Sequence, residues 1–120
     1  MRSFKFFVTE ENKGGFIAIK PSIEKAQYLE NVCKFIKLEN HLPANEMHVT
    51  IFYDKREPVI SLYEPKIATY KAFIKAPALY NDALVLELES PELVERFIEL
   101  KMMGFKSDYI DFKPHLTLKY

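Results

Sequence analysis

Two short stretches of the sequence, H-V-T-I from His48 and H-L-T-L from His115, share the order histidine, apolar residue, threonine, apolar residue. They lie 67 positions apart in a chain of 120 residues that has three histidines. An imidazole can take a proton in its neutral form and donate one in its charged form near neutral pH. Two imidazoles in one site could therefore deprotonate a nucleophile and protonate a leaving group in the same reaction.

Strand geometry predicts which side chains accompany the two histidines. Residues two apart in a β-strand point to the same face, and their neighbours point to the other face. Met47, Val49 and Ile51 would then form an apolar face that packs against a helix. The opposite, cleft-facing side would carry three residues from each strand: His48, Thr50 and Phe52, and His115, Thr117 and Lys119.

Two imidazoles and two hydroxyls around one cleft are suited to phosphodiester cleavage. One histidine would deprotonate a water or a ribose 2′-hydroxyl, and the other would protonate the departing oxygen. Thr50 and Thr117 would donate hydrogen bonds to the non-bridging phosphate oxygens, where negative charge builds up. We expect no metal and no cofactor, because no carboxylate-rich cluster of the kind that two-metal phosphoesterases need accompanies either motif.

The elements that must position these residues occur twice. An opening strand at Phe4 to Val8 and a strand at 16–20 are predicted to form a hairpin through the turn N-K-G-G. A helix capped by Ser22 follows, with an apolar stripe at Ile23, Ala26, Leu29, Val32, Cys33 and Ile36. In the second half, an alternating strand at 84–89 leads into a helix that Ser90 and Pro91 begin and Gly104 ends.

Comparison of the two halves indicates an internal duplication. A shift of 68 positions carries 16–22 onto 84–90, and a shift of 67 carries the first histidine motif onto the second. We therefore predict one α+β domain over residues 1–120, with pseudo-repeats at about 16–53 and 84–120. An approximate twofold axis would bring the two polar strand faces together across a cleft.

The amino-acid composition limits which ligands and which cellular location we expect. Seventeen basic residues balance seventeen acidic ones, so no overall positive field is available to hold a long nucleic acid. Cys33 has no partner for an intrachain disulfide, and the N-terminus lacks the apolar core of a signal peptide. We expect a cytoplasmic monomer without a membrane segment that binds a small nucleotide or oligonucleotide.

The paired motifs resemble those of the 2H phosphoesterase superfamily, which is defined by two His-x-Thr/Ser motifs in a duplicated α+β fold. The resemblance covers nearly the whole chain, and the four motif residues carry over to His48, Thr50, His115 and Thr117. It implies a metal-independent hydrolase with antiparallel sheets lining a central cleft and helices packed outside. The compact phage-type members, among them the anti-CBASS enzymes that destroy cyclic oligonucleotide messengers, are the most similar in size and in their ending.

Several substrates and one different class of function remain open. The leading hypothesis is a phosphodiesterase that cleaves a cyclic oligonucleotide messenger next to a ribose 2′-hydroxyl, and so serves phage immune evasion. Alternative enzymes would act on RNA 2′,3′-cyclic phosphates or on 2′-5′ oligoadenylates. A non-catalytic nucleotide-binding module is the alternative of another class. The sequence does not indicate which histidine is the base.

Besides the motif histidines and threonines, three residues are candidate substrate contacts: Lys119, Lys20 and Phe52. Lys119 and Lys20 would contact phosphate, although a solvated lysine at a strand end is the alternative for each. Phe52 would stack on a base, because alternation places it on the cleft face. Other aromatic residues could stack as well or could simply belong to the core: Tyr53, Tyr63 and Tyr120.

Overall fold

A computed structural model of the protein describes residues 3–9, 11–13, 16–54, 67–106 and 112–120. Within these ranges the strands are β1 Ser3–Thr9, β2 Glu11–Lys13, β3 Phe16–Ile19, β4 Val49–Tyr53, β5 Ile67–Tyr80, β6 Ala83–Glu89 and β7 His115–Lys119. The helices are α1 Ile23–Phe35 and α2 Pro91–Met102, and a 3₁₀ turn covers Ala44–Glu46. Among the described residues, neither helix has the length and apolar character needed to cross a membrane.

The described strands form one antiparallel sheet in the order β1-β5-β6-β7-β4-β3-β2. This differs from the expectation of separate antiparallel sheets lining a cleft. The two halves of the chain join in the middle of the sheet, where β4 pairs with β7 through Val49 and Leu116. The histidine-bearing strands are therefore direct neighbours rather than walls of two lobes.

The strand pairing of the first half recurs in the second half with an offset of 67 positions. Three pairs of β3 and β4 match three pairs of β6 and β7: Ile17–Phe52 with Leu84–Lys119, Ala18–Thr50 with Val85–Thr117, and Ile19–Val49 with Leu86–Leu116. The pair that joins the halves, Val49 and Leu116, links two equivalent positions. The strand register on the two sides of this pair is therefore the same over these positions.

The first strand has a different partner from the one that the sequence suggested. β1 pairs with β5 rather than with β3, and the hairpin partner of β3 is the short strand β2. β1 and β2 lie at opposite edges of the sheet order, yet one residue separates them in the chain. The two edges must therefore lie close together, and β1 also contacts β3. The sheet consequently curls along its width.

Both helices begin as their sequences predict. The hydroxyl of Ser22 accepts a hydrogen bond from the amide of Lys25, and that of Ser90 accepts one from the amide of Leu93. Gly104 follows α2 with a φ of 109°, a conformation that glycine adopts without steric cost. The predicted stripe of α1 is only half correct, because Ala26, Leu29 and Cys33 are buried whereas Ile23, Val32 and Ile36 are exposed.

The main apolar cluster lies on the helix side of the sheet. It combines strand residues from both halves with the inner faces of α1 and α2: Ile17, Ile19, Val49, Ile51, Phe52, Leu88, Leu116 and Leu118 with Leu29, Cys33, Leu93, Phe97 and Leu100. Ala18 and Val85 are buried on the other face, outside this cluster. This second face carries the histidine motifs and is called the histidine face below.

Candidate functional site

The two histidine motifs meet at the centre of the histidine face. Antiparallel pairing of β4 with β7 sets His48 beside Thr117 and Thr50 beside His115 when the register is extended by one residue on each side. The outer neighbours of the two threonines are apolar, since Thr50 pairs with Ala18 and Thr117 pairs with Val85. The side chain of Thr117 is 9% exposed, and the other three motif residues are half-buried. The fold therefore brings together two pairs of side chains that lie 67 positions apart in the sequence.

The spacing of a β-sheet fits this group to one phosphate. Directly opposed residues of neighbouring strands lie about 4.5 to 5.5 Å apart, and diagonal ones about 7 to 8 Å apart. His48 and His115 occupy diagonal positions, and so do Thr50 and Thr117. Two imidazoles on one diagonal and two hydroxyls on the other thus project from the same face and can contact one group bound above it.

The two imidazoles are held in the same way. Nδ1 of His48 lies 2.8 Å from the carbonyl oxygen of Glu46, and Nδ1 of His115 lies 2.9 Å from that of Lys113. A carbonyl oxygen can only accept, so the ring hydrogen of each neutral imidazole lies on Nδ1. Nε2 then carries the lone pair and is the nitrogen that can meet a ligand. This arrangement favours proton transfer by both rings.

A chain of contacts fixes the carbonyl that orients His48. Glu46 ends the 3₁₀ turn, whose first amide, that of Ala44, donates a 3.0 Å hydrogen bond to Oε2 of Glu30 on helix α1. This bond is the main reason why the pKa of Glu30 lies below its ordinary value. The position of the His48 ring is therefore tied to the first helix.

An aromatic ring packs against each histidine, but the two rings come from different strands. Phe16 on β3 meets His48 edge to face, with ring centroids 5.8 Å apart. Tyr80 on β5 also meets His115 edge to face, with ring centroids 4.7 Å apart, and its hydroxyl donates a 2.6 Å hydrogen bond to Glu87. Burial first, and Glu87 second, raise the pKa of Tyr80 to about 12. The two halves of the site thus share a backbone plan and differ in their side chains.

The structure corrects the placement of Phe52 and Lys119. The register of β4 shifts opposite Ile17 and Ala18, so that Ile51 has no cross-strand partner, and the register of β7 shifts equivalently at Leu118. A bulge of one residue reverses the alternation beyond it. Phe52 and Lys119 therefore lie on the helix side of the sheet and not on the histidine face.

Phe52 is a core residue. Its side chain is 1% exposed, and its ring stacks on Phe97 with centroids 4.5 Å apart and planes 7° apart. Phe97 stacks in turn on Phe112 at 4.8 Å. Stacking on a substrate base would require the loss of these contacts, so the predicted role of Phe52 is wrong.

The same bulges turn the next residues, Tyr53 and Tyr120, toward the histidine face. Tyr53 is 57% exposed and contacts the ring of Phe16 at 6.0 Å, and Tyr120 is 72% exposed. Both were only secondary candidates in the sequence, because simple alternation gives them the wrong face. The signal in the sequence is a tyrosine three residues after the threonine of each motif. Tyr63 lies outside the described residues.

A cavity of about 340 Å³ opens beside His48. Its lining combines aromatic, polar and charged side chains: Phe16, Ala18, Lys20, Leu42, Asn45, Glu46, His48 and Tyr120. Lys20 is exposed there, with Nζ 3.5 Å from the carbonyl oxygen of Asn45. The structure thus brings Lys20 to the histidine face, as the sequence suggested. Within the described ranges, no three His, Cys, Asp or Glu side chains form a group that could hold a metal ion.

Comparison with known proteins identifies the family of this chain. Residues 13–120 match the family model described as anti-CBASS protein Acb1, a range that includes both histidine motifs and the aromatic residues around them. The chain belongs to the anti-CBASS protein Acb1 family.

Members of this family from phages align with most of the chain. The anti-CBASS protein Acb1 of Vibrio phage KVP40 is 29% identical over 115 residues, which cover 92% of this chain and 74% of the phage protein. The anti-CBASS protein Acb1 of Enterobacteria phage T4 is 28% identical over an alignment 125 residues long, which covers all of this chain and 78% of the phage protein. The match therefore extends beyond the motifs to the whole described sheet.

Proposed function

We propose that this protein is a metal-independent phosphodiesterase of the two-histidine type, with the duplicated fold of the 2H phosphoesterases. Its substrate would be a cyclic oligonucleotide messenger, cleaved next to a ribose 2′-hydroxyl, and its role would be phage evasion of CBASS defence. Membership of the anti-CBASS protein Acb1 family supports the role. The shared orientation of His48 and His115 supports the chemistry and is the observation that carries the proposal.

The proposed reaction uses Nε2 of both rings. One imidazole accepts the proton of the attacking hydroxyl while the new bond between that oxygen and phosphorus forms. The other imidazole, in its charged form, gives its Nε2 proton to the departing oxygen while the old phosphorus–oxygen bond breaks. Each transfer contributes typically about 10²- to 10⁴-fold to the rate.

Thr50 and Thr117 would hold the phosphate during this reaction. A threonine hydroxyl can donate one hydrogen bond, and a non-bridging phosphate oxygen becomes a stronger acceptor as charge accumulates in the transition state. The low exposure of Thr117 strengthens such a bond, because water competes less for its hydroxyl.

The cavity beside His48 supports a small nucleotide ligand rather than a long nucleic acid. Phe16 and Tyr120 offer aromatic surface to a base, and Lys20 offers a positive charge to a phosphate. A volume of about 340 Å³ is at the lower end of the range for small-molecule sites. The net charge of zero adds no general affinity for a polyanion.

The test is direct incubation with candidate substrates. The protein would be mixed with cyclic di- and trinucleotides, 2′,3′-cyclic mononucleotides and 2′-5′ oligoadenylate, with and without excess EDTA, and the products identified by mass spectrometry. We expect linear products from the cyclic oligonucleotides in both conditions. Cleavage confined to 2′,3′-cyclic mononucleotides or to oligoadenylate would replace the proposed substrate, and loss of activity that zinc or magnesium restores would refute metal independence.

Two variants at the proposed catalytic positions and one matched control test the mechanism. His48→Ala and His115→Ala should each lower kcat by about 10²- to 10⁴-fold without loss of the fold. His41→Ala is the control, because His41 also bonds a main-chain carbonyl through Nδ1 but lies outside the motifs. A wild-type protein that binds the cyclic oligonucleotides by calorimetry and yields no product would be the binding module instead.

A further inference from the structure

The two halves of the candidate site have equivalent backbones and different neighbours. Lys20 follows Ile19 on β3 and so stands opposite His48, whereas the equivalent position on β6 is Glu87, which pairs with His115. Phe16, which packs against His48, has Ala83 as its equivalent. The ring of His115, which shares the Nδ1 bond to a carbonyl, must therefore be packed by other means.

Tyr80 supplies those means on the His115 side. Its ring centroid lies 4.7 Å from that of His115 with planes 62° apart, a closer contact than the 5.8 Å between Phe16 and His48. Aromatic pairs in such arrangements contribute about 0.5 to 1.5 kcal/mol beyond the area they bury. Tyr80 and Glu87 both lie on the histidine face, since Tyr80 pairs with Ala83 and alternation then leads to Glu87.

The position of Tyr80 is itself constrained from two directions. It is the last paired residue of the β5–β6 hairpin, directly before the two-residue turn Asn81–Asp82, where Asn81 has a φ of 56°. Its hydroxyl donates a 2.6 Å hydrogen bond to Oε2 of Glu87, and bonds from a hydroxyl to a carboxylate are among the stronger ones in proteins. A pKa raised to about 12 keeps this hydroxyl a donor at any working pH.

A histidine ring that is hydrogen-bonded through one nitrogen can still turn about the bonds of its side chain. The bond from Nδ1 of His115 to Lys113 fixes one atom of the ring, and a ring packed against its side limits the remaining rotation. Displacement of a reacting group by about 1 Å can cost about 10²-fold in rate. Restriction of the ring is therefore a direct contribution to proton transfer.

We propose that Tyr80, anchored by Glu87, is a positioning residue that holds the imidazole of His115 in its Nδ1-bonded orientation. The kinetic part of this inference rests on the proposed phosphodiesterase function, and the structural part does not. Among the described ring contacts, Tyr80 meets His115 and Phe16 meets His48, so removal of Tyr80 should leave His48 undisturbed.

The first experiment observes the two histidine rings without substrate. Long-range ¹H–¹⁵N spectra of the full chain report the tautomer of each imidazole. In wild type, both rings should show the hydrogen on Nδ1. Tyr80→Leu should give a mixture of tautomers for His115 and an unchanged His48, and Phe16→Leu should disturb His48 instead. An unchanged His115 spectrum in Tyr80→Leu would overturn the proposal.

Milder variants separate the ring from its anchor. Tyr80→Phe keeps the ring and removes the hydroxyl, and Glu87→Gln keeps the shape of the acceptor and removes its charge. Both should change the His115 spectrum less than Tyr80→Leu does, and the double variant should change it no more than the larger single effect. Fully additive effects would show that Tyr80 and Glu87 act separately and would refute the anchoring. These variants also provide the test if Tyr80→Leu does not fold.

The second experiment is kinetic. Tyr80→Leu should lower kcat by about 10- to 100-fold with KM little changed, and Tyr80→Phe should recover most of the loss. Tyr28→Leu, at a tyrosine of helix α1, is the control for the type of substitution. A change confined to KM would make Tyr80 a substrate contact and overturn the positioning role. Altered His115 spectra in a protein that turns over no substrate would refute the proposed function and leave the positioning intact.

Discussion

His48 and His115 owe their orientation to bonds that are local in the chain. Each ring meets a carbonyl two residues before it, at 2.8 and 2.9 Å. Such a bond depends on the short segment that precedes the strand, so the same local sequence plan can produce it twice. The surrounding side chains are not local, and they distinguish the two rings. At this scale the two imidazoles share one local hydrogen bond and differ in their surroundings.

The threonine hydroxyls provide a test of phosphate binding. Thr50→Val and Thr117→Val keep the branched shape that favours a strand and remove the hydrogen-bond donor. Each should lower kcat by about 10²- to 10³-fold, the usual effect of losing one donor to a developing negative charge. Steady-state kinetics and thermal unfolding would be measured together. An unchanged kcat in both variants would show that the threonines serve the strand alone.

The Tyr80–Glu87 hydrogen bond predicts a change of stability at alkaline pH. The pKa of Tyr80 rises from its ordinary value of 10.0 to about 12 in the folded protein. Below pH 10 the hydroxyl is protonated in the folded and the unfolded chain, so its contribution is complete. Between pH 10 and 12 the unfolded chain loses the proton first, and stability falls. Urea unfolding at pH 9 and pH 11 would measure this decrease.

Tyr80→Phe is the reference for that measurement, because lysines titrate in the same range. The free energy of unfolding should fall less between pH 9 and pH 11 in Tyr80→Phe than in wild type. Equal decreases in the two proteins would contradict the raised pKa.

At the scale of secondary structure, two equivalent bulges decide which residues reach the site. Each adds one residue to a strand just after its His-x-Thr motif, at Ile51 and at Leu118. The motif before the bulge keeps its place on the histidine face, and the residue after it passes to the core side. A β-strand can thus serve a polar site with its first half and the core with its second half.

Neighbouring substitutions beyond the first bulge should have opposite consequences. Phe52→Ala removes a ring that stacks on Phe97 and should lower the free energy of unfolding by about 3 to 5 kcal/mol. Tyr53→Ala, at a side chain 57% exposed, should change it by about 0.5 kcal/mol or less. Urea unfolding of both variants measures the difference. A larger loss in Tyr53→Ala than in Phe52→Ala would show that the strand alternates without a bulge.

At the scale of the whole molecule, the two halves of the chain share one sheet and one core. Strand residues of both halves and both helices contribute to a single apolar cluster. Each half needs the other to cover the apolar face of its strands, because β4 and β7 lie side by side at the centre of the sheet. The site lies at this seam, so its geometry depends on the integrity of the entire sheet.

The shared core predicts that the protein unfolds in one cooperative transition. Far-ultraviolet circular dichroism, tyrosine fluorescence and the loss of ligand binding should give the same midpoint in urea. The comparison needs no variant, and a second experiment on Phe52→Ala should show all three midpoints shifted together. Separate transitions for the two halves would contradict the shared core.

Local features of the sequence determined much of this protein. Ser22 and Ser90 cap their helices as predicted, since a hydroxyl and the amides it receives lie within three residues of each other. The recurrence of His-x-Thr predicted two equivalent strands, and the equal offset of their pairings agrees with it. A strand at β1 was also predicted, but its partner was not.

The tertiary structure alone decided how distant segments meet. Alternation placed Phe52 and Lys119 on the histidine face, but a bulge depends on the register that the partner strand imposes, and no pattern within one strand reveals it. The partner of β1, the union of both halves in one sheet and the contact of Tyr80 with His115 are of the same kind. The sequence determined which groups could do chemistry, because local hydrogen bonds and propensities depend on near neighbours. Only the folded chain determined which of them face one another, because cross-strand register is a property of two segments together.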